Sequence, residues 1–188
     1  MQLLIDLLRA LKGLGRLFRF DPSYRDYFDT TIQGTWRSFF AMMLVAPTVA
    51  LTLPEDLSKV YPNATQFEFF VVQVLVYIIG WAGNPVIAFE IGRWLKRAEA
   101  MPSYVTVYNW FQLINLPFAL LDWGLWAAGS ESFGLLLFLV YLTVYFVYLF
   151  YLARSFLKVE FYGAAAFVAA DLSIFIFVSI AAHTTLSS

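Results

Sequence analysis

Long apolar stretches separated by short polar connections dominate the chain, and their spacing predicts helices rather than strands. Five such stretches run over about 33–53, 67–90, 103–126, 133–153 and 161–183. Each has the length needed to cross the hydrocarbon of a bilayer, about 20 residues at 1.5 Å per residue. A water-soluble bundle would need a charged face on every helix. The segments 69–89, 133–153 and 161–182 offer almost none.

Residues 2–20 follow a different pattern. Leu4, Leu7, Leu8, Leu11 and Phe18 fall broadly on one side of a helix, and Arg9, Lys12, Arg16 and Arg19 on another. That pattern predicts a helix lying in the membrane interface, with its cations toward anionic lipid headgroups and its leucines at the acyl boundary. Docking on the ends of the spans is the alternative. Asp21-Pro22 reads as a helix start, carrying Tyr24, Tyr27 and Phe28 at the interface. The expected fold is therefore an all-α polytopic membrane protein with five transmembrane helices and an N-terminal interfacial amphipathic helix. Residues 1–30 form a basic arm and juxtamembrane segment, and 31–188 the transmembrane domain.

Composition supports this class. The chain is 61% hydrophobic and only 13% charged, with a mean hydropathy of +0.72, outside the range of ordinary soluble domains. Eleven of the 12 Lys and Arg residues lie in the arm, at the start of the first stretch, or in the second and fourth connections; Lys59 is the exception. The positive-inside rule then places the N-terminus in the cytoplasm and the C-terminus on the opposite face. A bacterial inner membrane is the expected location. The absence of cysteine excludes thiolate chemistry. The single histidine, His183, falls at an outer boundary, so no metal or other cofactor is expected. With a net charge of −1 there is no general attraction for nucleic acid.

Candidate chemistry lies inside the stretches. Asp171 sits near the centre of the fifth, where a charge costs at least about 2.5 kcal/mol on an insertion scale. It must be neutral, paired or near water. Gln73, Tyr77, Gly80 and Asn84 fall within an arc of about 60° on the second stretch, a polar and small-residue seam. Asn84 precedes Pro85, which interrupts the helical hydrogen-bond ladder. Pro47 should kink the first stretch and leave a carbonyl needing a neighbour. Asn109, Gln112 and Asn115 spread over roughly 120° of the third, too broad a face to point at lipid. One of these three amides is expected to hold Asp171. In the fourth, Tyr141, Tyr145 and Tyr148 recur at helical spacing, an aromatic face for packing or for lipid. Gly163 to Ala166 predict close approach of the fifth stretch to a neighbour.

Two function classes follow. One is a non-enzymatic accessory or membrane-organising subunit that packs against lipids and an integral membrane partner, or against further copies of itself. The other is a small transporter or channel whose polar route includes Asp171. An intramembrane enzyme lacks any recognisable metal-binding or nucleophile motif in this sequence.

Overall fold

The computed structural model describes residues 1–52, 60–130 and 133–187, and all regular structure in them is helical. The arm forms α1 (Gln2–Leu17), followed by a 3-10 turn at Pro22–Tyr27. The first stretch is split into α2 (Ile32–Ser38), α3 (Phe40–Val45) and a 3-10 segment, Ala46–Thr52. The second is one helix, α4 (Gln66–Trp94). The third is split again, into α5 (Met101–Phe111), a 3-10 turn at Gln112–Ile114 and α6 (Asn115–Ala127). Helices α7 (Gly134–Leu157) and α8 (Phe161–Ser187) complete the chain. Residues 53–59, which include Lys59, and Glu131 in the next connection lie outside the described residues.

Three helices, α4, α7 and α8, are long and apolar enough to cross a membrane, with mean hydropathies of 1.7, 2.3 and 2.2. The first and third stretches are not the continuous helices their hydropathy suggested, and local chemistry explains both breaks. Ser38 Oγ turns back onto the Thr35 carbonyl at 2.6 Å, competing with the ladder where α2 ends. Pro47 has no N–H to donate, and α3 gives way to the 3-10 segment just before it. The Tyr77 hydroxyl of α4 donates to the Met42 carbonyl beside this break, which also accepts the Ala46 N–H, so it does not serve the Met43 carbonyl that Pro47 leaves free. Pro117 cannot bond the carbonyl of Leu113, four residues earlier, and Leu113 lies in the 3-10 turn that divides the third stretch. Pro85, by contrast, is carried within an uninterrupted α4.

These two broken segments run side by side in the same direction. Helix α2 packs on α5, α3 on the 112–114 turn, and the 46–52 segment on α6. Helix α4 lies against α8, while α7 touches both α8 and α5. Helix α5 is consequently the central post, with Tyr104 through Phe111 all buried. A post surrounded by protein can carry amides and breaks, because its neighbours satisfy the polar groups that lipid could not.

Helix α1 docks through Asp6, Ala10, Gly13, Leu14 and Leu17 on the Pro22–Tyr27 turn and α5. The Phe28 ring occupies the space beside Gly13, 2.8 Å from where a Cβ would stand. Leu4, Leu8 and Leu11 stay more than half exposed along the other side. One face therefore packs on the bundle and a second remains uncovered. Asp21 does cap the following turn, accepting Ser23 N–H at 3.0 Å. That turn is a single short 3-10 element, however, and it buries Tyr24 and Phe28 rather than presenting them at an interface.

The basic residues that the structure describes collect at one end of the bundle. Arg25 donates to the Ser155 carbonyl at 2.6 Å, and Arg97 reaches the Lys158 carbonyl at 3.5 Å. Arg37 binds Asp6 of α1 through Nε at 2.6 Å and Asp29 through its other arm. Close by, Thr31 Oγ1 caps α2 by accepting Gly34 N–H at 3.1 Å. Gly34 has no room for a side chain, since a Cβ would run into the Asp29 carbonyl and stand 2.6 Å from its Cγ. Gly34→Ala is expected to lower stability by about 1–3 kcal/mol, the usual cost of overpacking. Thermal unfolding of the purified protein in detergent checks this; an unchanged midpoint would show that the turn can move aside.

Candidate functional site

The polar groups of the spans assemble around α5 into two hydrogen-bonded chains. The first starts at Asp171 on α8. Its Oδ1 accepts Asn84 Nδ2 of α4 at 2.6 Å and the Tyr108 hydroxyl of α5 at 3.1 Å. Tyr108 lies 3.4 Å from the Tyr145 hydroxyl of α7, which accepts Gln112 Nε2 at 3.0 Å. Gln112 in turn accepts Asn115 Nδ2 at 2.9 Å, and Asn115 accepts the Tyr141 hydroxyl at 2.8 Å. Close helix approach permits this geometry: a Cβ on Gly83 would stand 3.3 Å from Ile174, one turn along from Asp171. Small residues on α4 thus bring Asn84 to the carboxyl.

The second chain runs toward the basic end. Trp81 Nε1 donates to Asn109 Oδ1 at 3.1 Å, and Asn109 Nδ2 donates to Ser38 Oγ at 2.9 Å. Beyond Ser38 lie the Thr35 carbonyl and the Thr35–Thr106 hydroxyl pair at 2.8 Å, with Thr106 donating to the Pro102 carbonyl at 2.9 Å.

Several expectations change here. The amide that meets Asp171 belongs to the second stretch, not the third; the third contributes Tyr108 of α5 instead, because Asn109 points toward α2 and α4, and Gln112 and Asn115 toward α7. Gln73 stands apart, half-buried, with no side-chain hydrogen bond to the described residues. The tyrosine face of α7 turns inward rather than toward lipid: Tyr145 and Tyr148 are buried. Tyr148 gives its hydroxyl to the Phe18 carbonyl at 2.8 Å and packs edge-on against that ring, so it anchors the arm. In the arm, Arg16 is held by Asp21 and Ser23, and Arg9 by the Asp26 carbonyl at 3.0 Å. Lys12 and Arg19 make no such bond among the described residues. Ala164 is buried within the chain, whereas Ala166 is exposed.

The sequence reading passed over Tyr108, Trp81, Ser38 and Thr106. Tyr108 was detectable, since it precedes Gln112 by one helical turn and shares its face. Two buried polar atoms, Asn84 Oδ1 and the Tyr104 hydroxyl, have no partner among the described residues.

A cavity of about 410 Å³ opens beside the first chain. Asp171, Tyr108, Gln112, Asn115, Tyr141 and Tyr145 line its polar side, and Trp81 stands in its wall. A second space of about 300 Å³ shares Thr48, Asn115, Phe138 and Tyr141 with it and extends to Asp122. Asp122 is exposed on α6, beside Gly134 at the start of α7, at the end of the bundle away from the basic residues. The two spaces together lead from the middle of α8 to that far end. Toward the basic end, Met101, Tyr104, Val105 and Phe167 fill the interior. No Lys, Arg or His lines either space. Asp171 is therefore held by the Asn84 amide and by tyrosine hydroxyls, with no counter-charge among the described residues. Among those residues no group of His, Asp or Glu side chains is placed to hold a metal ion.

No family model, curated protein or solved structure matches this chain.

Proposed function

We propose that this chain is a small, non-enzymatic transporter or channel whose polar route includes Asp171. The observation that supports the reading is the pair of adjoining spaces that share Thr48, Asn115, Phe138 and Tyr141, one reaching Asp122 and the other Asp171, whose carboxyl has no cationic partner among the described residues. Carboxyls at such depth are costly and mark ion or substrate paths more often than simple packing sites. In this reading all five stretches cross the bilayer, the two broken ones as a parallel pair inside the bundle. The basic end faces the cytoplasm, following the positive-inside rule. The cavity then opens to the non-cytoplasmic side, and Trp81 with the residues around Tyr104 closes the cytoplasmic side.

Proton entry into proteoliposomes, followed with an internal pH dye under a potassium-diffusion potential, tests the proposal. Wild-type protein should accelerate entry over empty liposomes. Asp171→Asn, with unchanged helix content and melting, should return the rate to that of empty liposomes. Equal rates with and without wild-type protein would sink the reading.

The second reading is an accessory or membrane-organising subunit. The uncovered Leu4, Leu8 and Leu11 of α1 favour contact with lipid or with a membrane partner. Two surfaces that a partner might have used, Tyr145–Tyr148 and Ala164, are already occupied within the chain. Stable copurification with another membrane protein after mild solubilisation, without flux, would favour this role.

A further inference from the structure

We infer that the ligand of the Asp171 cavity is a hydrophobic monovalent organic cation, such as a protonated amine or a quaternary ammonium. The inference rests on the proposed route and specifies what enters it. Charge is the first argument. Among the described residues Asp171 is the one carboxyl in the lining of the deeper space, and no Lys, Arg or His lines it. Asn84 and Tyr108 both donate to Oδ1 and the Tyr145 hydroxyl also acts on the carboxyl, but all of these donors are neutral. A bound cation supplies the missing counter-charge; an anion would meet repulsion and no cationic donor.

The walls supply the second argument. Tyr77, Trp81, Tyr141, Tyr145, Phe146 and Phe175 surround the space with aromatic surface. Ring faces attract cations, and bind those with apolar substituents best where water is excluded. Donor capacity is the third. Gln112 spends an amide hydrogen on Tyr145, Asn115 one on Gln112, and Tyr141 its hydroxyl on Asn115. What remains for a sugar or other polyhydroxylated solute is few side-chain donors, chiefly the second amide hydrogens of Gln112 and Asn115. A bare metal cation needs a shell of several oxygens, whereas this cavity of about 410 Å³ is mostly apolar. That volume falls within the usual range for small organic ligands, about 300–1,000 Å³.

Binding to the full chain in lipid nanodiscs tests the inference. Radiolabelled tetraphenylphosphonium is the probe, with empty nanodiscs as the background. Benzyltrimethylammonium and its uncharged carbon isostere, neopentylbenzene, are the competitors. Wild-type protein should bind the probe saturably, and benzyltrimethylammonium should displace it while neopentylbenzene does not. Asp171→Asn should weaken binding at least about tenfold, as loss of one partner of a buried charge pair does. Absence of saturable binding, equal displacement by the neutral isostere, or equal binding by folded Asp171→Asn would overturn the inference. If that variant does not fold, the two competitors on wild-type protein decide alone. Proton flux without cation binding would leave the route standing and remove this ligand class; cation binding without flux would do the reverse.

Discussion

Replacing Arg37 with methionine is expected to release α1 from the bundle while leaving the long helices in place. Methionine retains an apolar stem but removes the guanidinium that bridges Asp6 on α1 and Asp29 before α2. Asp6 is buried, with 6% of its side chain exposed, so the change leaves a carboxylate without its cation in a packed face. Breaking such a pair costs more than the pair contributes, because the remaining charge stays desolvated. Amide protection of residues 2–17 should fall at least about tenfold, the scale of a lost hydrogen bond to a charged group. Hydrogen exchange read by mass spectrometry in nanodiscs measures it. Unchanged protection would mean that Ala10, Leu14 and Leu17 hold the arm without help. The clasp should also respond to acid. The Thr31 hydroxyl, 2.7 Å from Asp29 Oδ1, holds the Asp29 carboxyl below its ordinary range, aided by the Thr31 N–H and Arg37. A carboxyl depressed in this way contributes stability above its unfolded-state value and loses it as pH falls through the lower folded value. Protection of α1 should therefore decline on acidification through that interval, with no matching decline on raising the pH.

Hydropathy made α4, α7 and α8 legible because a lipid-facing helix must be apolar over its whole length. It could not separate a continuous helix from the first and third stretches, which break at three places between them, because it weighs composition without regard to hydrogen-bond continuity. The breaks at Ser38, Pro47 and Pro117 depend on a side chain turning back or a missing N–H, and they persist where neighbouring protein can absorb the freed groups. Spacing showed that Asn109, Gln112 and Asn115 fan around a helix and avoid lipid. It did not show which neighbour each would meet. Asn109 faces Ser38 and Trp81, while Gln112 and Asn115 face the tyrosines of α7. Helical spacing placed Tyr141 and Tyr145 on one face but did not identify the partners of their hydroxyls, which with Tyr108 connect the amides of the network to its acid.

Trp81→Ala should produce the largest functional change outside Asp171, by joining the two polar chains. The indole is 6% exposed, lies edge-on to Tyr77 at 5.7 Å, stands in the cavity wall and donates to Asn109. Beyond Asn109, Ser38, Thr35 and Thr106 lead toward the basic end through side-chain and carbonyl contacts. Truncation to alanine removes the ring between the cavity and this second chain and leaves Asn109 Oδ1 without its donor. A cost of about 3–5 kcal/mol is expected for losing a buried aromatic side chain. In the proposed route, water entering the vacated volume would connect the two sides, so proton entry into proteoliposomes should exceed the wild-type rate. Trp81→Phe keeps most of the ring but loses the N–H; it should cost about 1–3 kcal/mol for the orphaned amide oxygen and leave the barrier closed. Comparing the variants separates the plug from the hydrogen bond. If Trp81→Ala stays folded and passes protons no faster than wild type, the barrier lies instead with the packing around Tyr104 and Phe167, where side chains fill the interior toward the basic end.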